Sequence, residues 1–342
     1  MLQQLRNVHL GHLCSAKGFS SVEIRADRPP ILVSLRIRRF VVQYGVYISL
    51  AILLVIALIL TPDLYSKSIF VVLKQASQLG IIAIGQTLVL LVAGLDLSIG
   101  GVVFLTSIII ARVSNGDNGL LPLAFGVALL FGGLVGLVNG FLITKRRVPP
   151  FVATLSVLIL VQGAVQAYTL GVPGGFVPEA LGIVNQSSGI FSIPLLLWIG
   201  LNAVFAFVLY ATPFGRRIYA VGSNAEAAYL SGLSVDGLKI AVYIICSLLV
   251  VIAGIILTGY VGYVDRTIAT GFDLDSIAAA IVGGTVFTGG RGNLFGTVAG
   301  VILIQVLSTM VLLLGLKIEL QLVIKGVVIL SAVALYRLAR ID

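Results

Sequence analysis

Long apolar runs separated by short polar loops make up the chain from residue 40 onward. A helix needs about 20 mostly apolar residues to cross a bilayer, and ten runs approach that length. These runs are 40–60, 69–93, 97–113, 119–143, 151–171, 191–210, 238–259, 273–288, 294–314 and 319–338. The third and the eighth are short and flanked by glycine, so eight or nine spans are an alternative. The pattern predicts an all-α polytopic membrane protein with about ten transmembrane helices.

The basic residues of the short loops predict how these spans are oriented. Lysine and arginine concentrate in the cytoplasmic loops of membrane proteins. With ten spans, every basic cluster falls on the same side of the membrane, so both termini are expected in the cytoplasm. The clusters are Arg36, Arg38 and Arg39; Lys145, Arg146 and Arg147; Arg216 and Arg217; and Arg337 and Arg340.

Composition excludes most other classes of protein. Only 10% of the residues are charged and the mean hydropathy is +1.14, whereas soluble domains carry about 25% charged residues. The net charge of +9 comes largely from the loop clusters, so no nucleic-acid partner is expected. His9, His12 and Cys14 lie in the N-terminal part and Cys246 stands alone. We therefore expect no catalytic residue, no metal site and no cofactor.

Residues 1–39 differ in character from the rest of the chain. They contain no apolar run of the about 7–15 residues that a signal peptide needs. We expect a cytoplasmic N-terminal tail over 1–39, with a misassigned translation start as the alternative. One transmembrane domain is expected over 40–338.

One loop, 211–237, combines polar residues with the signals of a short helix. Asn224 suits an N-cap, the alanines within 225–228 favour helix, and Gly232 suits a helix stop. Glu226 would oppose the positive end of the helix dipole. Because isolated helices this short are marginal in water, we expect a partner surface. An interfacial linker helix is the alternative.

Four stretches resemble one known family, the permeases of bacterial ABC importers for ribose, xylose, arabinose, galactose and autoinducer. "TPFGRRIYAVGSNAEAAYLSGLSVDGLKI" (212–240) resembles the family's cytoplasmic coupling segment, and "VAGLDLSIGGVVFLTS" (92–107) its Gly–Asp–Leu–Ser signature. "VPPFVATLSVLILVQGAVQAYTLG" (148–171) is similar to its fifth span, and "GFDLDSIAAAIVGGTVFTGGRGNLFGTVAGVILI" (271–304) to its glycine-rich C-terminal signature. The resemblance covers about residues 40–338 in the same order.

The resemblance implies a bacterial cytoplasmic membrane protein that works with partners. These are two ABC ATPase subunits, a periplasmic or lipid-anchored sugar-binding protein, a second permease copy or paralogue, and membrane lipid. The chain itself has no G-x-x-x-x-G-K-[ST] motif, so ATP is expected to be bound by another polypeptide.

The family's coupling segment inserts into a groove on the ATPase, and helix-in-groove docking uses small residues for close approach. Here Ala227, Ala228, Ser231 and Gly232 would allow the approach, while Glu226 and Tyr229 would grip. The predicted coupling residues are Gly222, Asn224, Glu226, Ala227, Ala228, Tyr229, Ser231 and Gly232.

Polar residues within the apolar runs mark candidates for the translocation pathway. Asp96 is placed near the cytoplasmic end of its span, either as a helix cap or as part of gating. Gln162 and Gln166 share one helix face, and interhelical hydrogen bonding is the alternative for them. The pathway or gating candidates are Gly94, Asp96, Ser98, Gln162 and Gln166.

Two external loops are candidates for contact with a binding protein, with plain solvated loops as the alternative. The first follows the fifth span and carries Glu179, and the second, 261–275, carries Asp265, Asp273 and Asp275. On the cytoplasmic side, the glycine-rich stretch 283–296 predicts a reentrant or broken-helix turn.

Repeats give two alternatives. An inverted repeat would match the short third and eighth spans, and such segments point to the transport path. The glycine spacing at 94–100 and 290–296 would instead indicate a parallel repeat.

These features favour the membrane-spanning subunit of an ATP-driven ABC importer that moves a ribose-type monosaccharide by alternating access. An ion-coupled secondary transporter is the alternative, and it would need titratable groups within the membrane. The acidic residues here map to loops or span ends, which argues against it. A membrane-embedded enzyme would need clustered Asp, His or Cys, and the sequence shows none.

Overall fold

The computed structural model describes residues 32–185, 187–188, 191–265 and 267–338. The predictions for residues 1–31 and Arg340 lie outside these residues. The chain divides into Met1–Arg39 and Phe40–Asp342, and the second unit holds the core. The α-helices of the described residues are α1 Leu32–Leu60, α2 Ile69–Leu91, α3 Ile99–Ser114, α4 Leu121–Thr144, α5 Pro150–Thr169, α6 Ile193–Ala211, α7 Pro213–Ser223, α8 Ala225–Leu230, α9 Val235–Val261, α10 Phe272–Val282, α11 Leu294–Leu313 and α12 Ile318–Leu338.

Short elements connect some of these helices. A π-helical turn, Leu64–Ser68, precedes α2, and 3₁₀ turns cover Asn118–Leu120 and Glu179–Asn185. The strands β1 (Ser187–Ser188) and β2 (Phe191–Ser192) form an antiparallel pair in which Ser187 faces Ser192.

Each predicted apolar run contains a helix, which confirms the all-α polytopic character. Six stretches of the described residues are long and apolar enough to cross a membrane. They are Ile69–Leu91, Asn118–Thr144, Pro150–Thr169, Ile193–Ala211, Val235–Val261 and Leu294–Leu313. The prediction of an eighth span over 273–288 is wrong in length, because α10 has 11 residues and ends at Val282. At about 1.5 Å per residue it covers only about 16 Å.

The helices form an inner and an outer layer. Within the most apolar window of α2, 67% of residues are buried inside the protein, against 22% for α5 and for α6. Helix α9 belongs to the inner layer, with Tyr243 and Cys246 fully buried among its neighbours. A helix that is apolar all round and buried belongs to the centre of a bundle. The apolar faces of α4, α5 and α6 that the protein leaves exposed therefore suit contact with lipid.

A row of glycines on α4 lets α9 approach closely. A Cβ atom on Gly136 would lie 2.6 Å from the Tyr243 carbonyl oxygen and 2.7 Å from the Ile244 Cα, and one on Gly140 would lie 2.7 Å from the Ile240 Cα. Small residues at such spacing permit backbone contact between membrane helices. The prediction that the glycines of 131–140 serve packing is confirmed.

Replacing Gly136 with alanine is therefore expected to lower the free energy of unfolding by about 1–3 kcal/mol, the usual cost of overpacking. Gly133→Ala is the matched control, because a Cβ there would meet only the Leu248 Cδ2 at 3.7 Å. Denaturant unfolding in detergent micelles measures both variants. Equal stabilities for the two would show that the close contact at Gly136 is unimportant.

Candidate functional site

The loop 211–237, called the coupling segment below, folds as α7, α8 and a turn. The Asn224 Oδ1 accepts the N–H of Ala227 at 2.9 Å, which caps α8. Gly232 adopts a left-handed conformation with φ +82°, and the N–H of Leu233 reaches the Ala228 carbonyl oxygen at 3.1 Å. This arrangement closes a helix end and favours glycine. The helix start and stop predicted from the sequence are confirmed.

The eight predicted coupling residues do not form a single surface. Six of them are exposed, whereas Gly222 and Ala228 are buried against the chain's own helices. Placing Ala228 on a docking surface was wrong, because α8 packs that side chain inward and leaves it 6% exposed. The exposed residues are Asn224, Glu226, Ala227, Tyr229, Ser231 and Gly232.

Leu230 is a surface residue that the sequence analysis missed. It is 79% exposed beside Tyr229, which is 70% exposed. Both lie at the end of α8 within an otherwise polar loop. A large apolar pair in a polar loop is the sequence feature that could have indicated a contact surface. Adjacent exposed aromatic and aliphatic side chains outside the membrane spans suit burial against another protein.

Gly222 lies at a point where three parts of the backbone meet, here named the backbone junction: 91–93, 222–223 and 289–290. A Cβ on Gly222 would overlap the Leu91 carbonyl oxygen and lie 2.5 Å from the Gly290 nitrogen. The N–H of Gly290 donates to that same Leu91 oxygen at 2.9 Å. The end of α7 is thus in direct backbone contact with the connectors that follow α2 and α10.

Two tyrosines hold the chain between α10 and α11 against α6 and α7. The Tyr219 hydroxyl donates to the Gly292 carbonyl oxygen at 3.2 Å, and the Tyr210 hydroxyl bonds the Asn293 Oδ1 at 2.9 Å. Burial raises the pKa of the Tyr219 phenol, with a further contribution from Tyr210, so this phenol stays a protonated donor at neutral pH. The broken-helix turn predicted within 283–296 is confirmed as irregular chain over 283–293.

Three pathway candidates belong to a buried polar cluster. The Asp96 Oδ1 accepts the N–H of Ser98 at 2.8 Å and its hydroxyl at 2.6 Å, and the Asn139 Nδ2 donates to the Ser98 Oγ at 2.8 Å. A Cβ on Gly94 would lie 2.6 Å from the Tyr243 hydroxyl. Gly94, Asp96 and Ser98 thereby tie the connector between α2 and α3 to α4 and α9.

Asp96 is buried inside the protein, with 1% of its surface exposed. It closes a short turn with Ser98 instead of capping the first turn of α3. Its second oxygen, Oδ2, and the Asn139 Oδ1 have no hydrogen-bond partner among the described residues. The position of Asp96 near the cytoplasmic end of the span stays a prediction.

The other two pathway candidates line a separate cavity. Gln162 and Gln166 border a space of about 280 Å³ between α3, α5 and the start of α10. The remaining lining residues are Gly100, Phe104, Leu158, Ala269, Thr270, Gly271 and Asp273. No pattern in the sequence connects the two glutamines with the segment 269–273.

The second external loop is shorter than predicted. Asp273 and Asp275 lie in the first turn of α10, and only Asp265 stays in the loop. The Asp275 Oδ2 forms an ion pair with the Lys325 Nζ of α12 at 2.7 Å, with side chains 22% and 13% exposed. Asp96 lies in the connector between α2 and α3, and Asp275 lies in the first turn of α10, so both map to a loop or a helix end as expected. Both are nevertheless withdrawn from the protein surface, because Asp96 is 1% exposed and Asp275 is paired with Lys325.

The first external loop packs on the helix ends. Its 3₁₀ turn buries Leu181 and Val184, and the Asn185 carbonyl oxygen accepts from the Lys74 Nζ at 2.7 Å. Phe176 is 72% exposed, so this loop offers an apolar surface on the side of the protein opposite α8.

A family model described as "Branched-chain amino acid transport system / permease component" matches residues 68–333. The chain belongs to this permease family. The match accounts for its many apolar helices, and the resemblance drawn from the four sequence stretches is confirmed.

Individual permeases match over most of their length. The ribose import permease protein RbsC of Haemophilus influenzae is 37% identical over 305 residues, which is 87% of this chain and 94% of that protein. RbsC of Bacillus subtilis is 37% identical, over 86% of this chain and 92% of its own. The galactose/methyl galactoside import permease protein MglC of Salmonella typhimurium is 32% identical, over 85% and 93%. No solved structure matches.

Membership of this family sets the class of the protein. It is a transport component rather than an enzyme, and a multi-pass protein of a bacterial cytoplasmic membrane.

Proposed function

We propose that this permease is the membrane-spanning subunit of an ATP-driven importer for a ribose-type monosaccharide. The similar permeases are named for ribose, galactose or methyl galactoside, and D-allose. These sugar permeases align with nearly the whole chain, which supports a sugar over the branched-chain amino acids of the family description. The observation that carries the ATP-driven mechanism is α8, a short helix outside the spans with Tyr229 and Leu230 exposed.

The proposal includes the finer topology and the partners. Ten crossings would place both termini and the coupling segment 211–237 in the cytoplasm, since the basic clusters then share one side. The eighth crossing would combine the short helix α10 with the irregular chain on either side of it. An ABC ATPase dimer would dock on α8 through Glu226, Ala227, Tyr229, Leu230 and the Ser231–Gly232 turn. A sugar-binding protein would contact the opposite side, where Phe176 is exposed. A second permease copy or paralogue completes the translocation unit.

Alternating access would begin at α8 and spread through the backbone junction. Closure of the ATPase dimer moves α8 and α7 together, because only Asn224 separates these helices. Gly222 then shifts against the connector before α3 and the connector after α10. Both short helices line the cavity with Gln162 and Gln166. A movement on the cytoplasmic side can thus change the shape of a space inside the membrane domain.

Uptake by the reconstituted complex tests this function. Proteoliposomes holding the permease and its ATPase are expected to accumulate labelled ribose only with ATP inside and the binding protein outside. Uptake should survive a protonophore and a sodium ionophore, because the ATPase supplies the energy. Transport driven by an ion gradient without ATP would instead support the secondary transporter, for which buried Asp96 offers a titratable group.

A further inference from the structure

The cavity beside Gln162 and Gln166 lies between the starts of two short helices. Gly100 belongs to the first turn of α3, which has 16 residues. Gly271 is the N-cap of α10, which has 11 residues, and Asp273 lies in its first turn. Broken helices that start within a membrane domain direct backbone N–H groups at a solute site in several transporter folds.

Contacts with α9 place this cavity near the middle of the membrane domain. The N–H of Leu95 donates to the Tyr243 hydroxyl at 3.2 Å, in the first third of α9. Further along, the hydroxyls of Ser107 and Thr258 meet at 2.8 Å, near the end of α9. Helix α9 has 27 residues and is therefore about 40 Å long. Gly100 lies between these two levels along the chain, and so between the two ends of α9.

Polar side chains in the cavity have no partners of their own. The side chains of Gln162, Gln166, Thr270 and Asp273 make no hydrogen bond or ion pair with any described residue. Gln166 and Thr270 are exposed and Gln162 and Asp273 are partly exposed, so all four polar groups are accessible to a ligand. Because the described residues leave them unpaired around one space of about 280 Å³, they are free to form hydrogen bonds with a polar solute.

The chemistry of the lining favours an uncharged polyhydroxylated solute. Two amides and a hydroxyl both donate and accept, and the Asp273 carboxylate can accept from two hydroxyls. No basic side chain is among the described lining residues, so an anionic solute lacks a counter-charge. The ring of Phe104 supplies an apolar surface for the C–H face of a sugar.

We infer that this cavity is the site that holds the monosaccharide during its passage, with Gln162, Gln166, Thr270 and Asp273 as its hydrogen-bonding groups. The inference rests on the proposed import function and adds the residues that contact the solute. The described lining offers few hydrogen-bonding groups and no ion pair around the solute. The affinity for the sugar is therefore low, which suits its release toward the cytoplasm.

The test compares variants in the full complex of permease, ATPase and binding protein in proteoliposomes. Gln162→Leu, Gln166→Leu and Asp273→Asn should each lower the initial rate of ribose uptake about tenfold, as expected for one lost hydrogen-bonding group. Co-purification of the ATPase with each variant should stay unchanged, because these residues lie away from α8. Leu160→Ala is the matched control, because Leu160 lies on α5 outside the cavity and is 68% exposed. It should transport like the original protein.

Two further measurements separate the possible outcomes. Asp273→Asn should also reduce the preference for ribose over 2-deoxyribose, which a purely structural role would not change. Gln166→Cys, in a chain with Cys14→Ser, should be protected by ribose from a thiol reagent. If the unaltered complex fails to import ribose, the proposed function fails. If it imports ribose but these variants match it in rate, preference and labelling, the cavity inference is overturned.

Discussion

Replacing Tyr229 or Leu230 with aspartate is expected to abolish ATP-dependent uptake while leaving the permease folded. Both side chains are largely exposed, at 70% and 79%, so the folded chain loses little when they change. In the assembled importer they would be buried against the ATPase, where aromatic anchors carry much of the binding free energy. An uncompensated carboxylate in that contact should weaken ATPase binding more than tenfold. Co-purification with the ATPase and uptake in proteoliposomes measure the effect.

Ala228→Leu provides the contrast. Ala228 is 6% exposed, so the larger side chain should lower the unfolding temperature, whereas Tyr229→Asp should not. Retention of the ATPase by both aspartate variants would contradict docking at α8 and leave the coupling segment without its proposed partner.

Local features of the coupling segment could be predicted from the sequence because each depends on neighbouring residues. The Asn224 cap and the Gly232 stop follow from backbone rules that act over one helical turn. The burial of Ala228 could not be predicted in the same way. Within a run of small residues, the inward face of a short helix depends on which distant helix it meets.

The pairings that build the membrane sites join residues far apart in the chain. Asp275 was assigned to a loop, since a lone acidic residue near a span end normally stays in water. Its partner Lys325 lies 50 residues further along, and this pairing permits burial. Gln162 of α5 and Asp273 of α10 likewise border one cavity only because α5 lies beside the starts of α3 and α10. The glycines that flank the third and eighth runs indicated short helices, but the sequence does not show that their starts lie beside α5.

Glycine was the most ambiguous signal. The similar spacing at 94–100 and 290–296 suggested a repeat, whereas in the structure Gly290 donates a hydrogen bond to Leu91, the last residue of α2. Within the coupling segment, Gly232 adopts a left-handed conformation, whereas Gly222 leaves space for a neighbouring backbone. The presence of glycine in the sequence does not show which of these two requirements it meets.

Gly222→Ala is expected to abolish ribose uptake while the ATPase remains bound, because it acts behind the docking surface. The added Cβ would overlap the Leu91 carbonyl oxygen, and a backbone atom cannot move aside as a side chain can. Pushing apart the segments of the backbone junction should lower the free energy of unfolding by about 1–3 kcal/mol. It should also break the contact of α7 with the connector before α3 and the connector after α10. ATP hydrolysis should then no longer respond to the sugar-loaded binding protein.

The matched control is Gly237→Ala at the exposed start of α9, where a Cβ would meet the Ser234 Oγ at an ordinary 3.6 Å. It should import ribose at the original rate, which separates crowding at the junction from the loss of a glycine in general. A Gly222→Ala complex that binds its ATPase and also imports ribose normally would show that motion from α8 reaches the cavity by another route. Loss of both ATPase binding and uptake would instead place Gly222 in the support of α8 itself. The two assays together therefore locate where, between the docking helix and the cavity, the coupling depends on this residue.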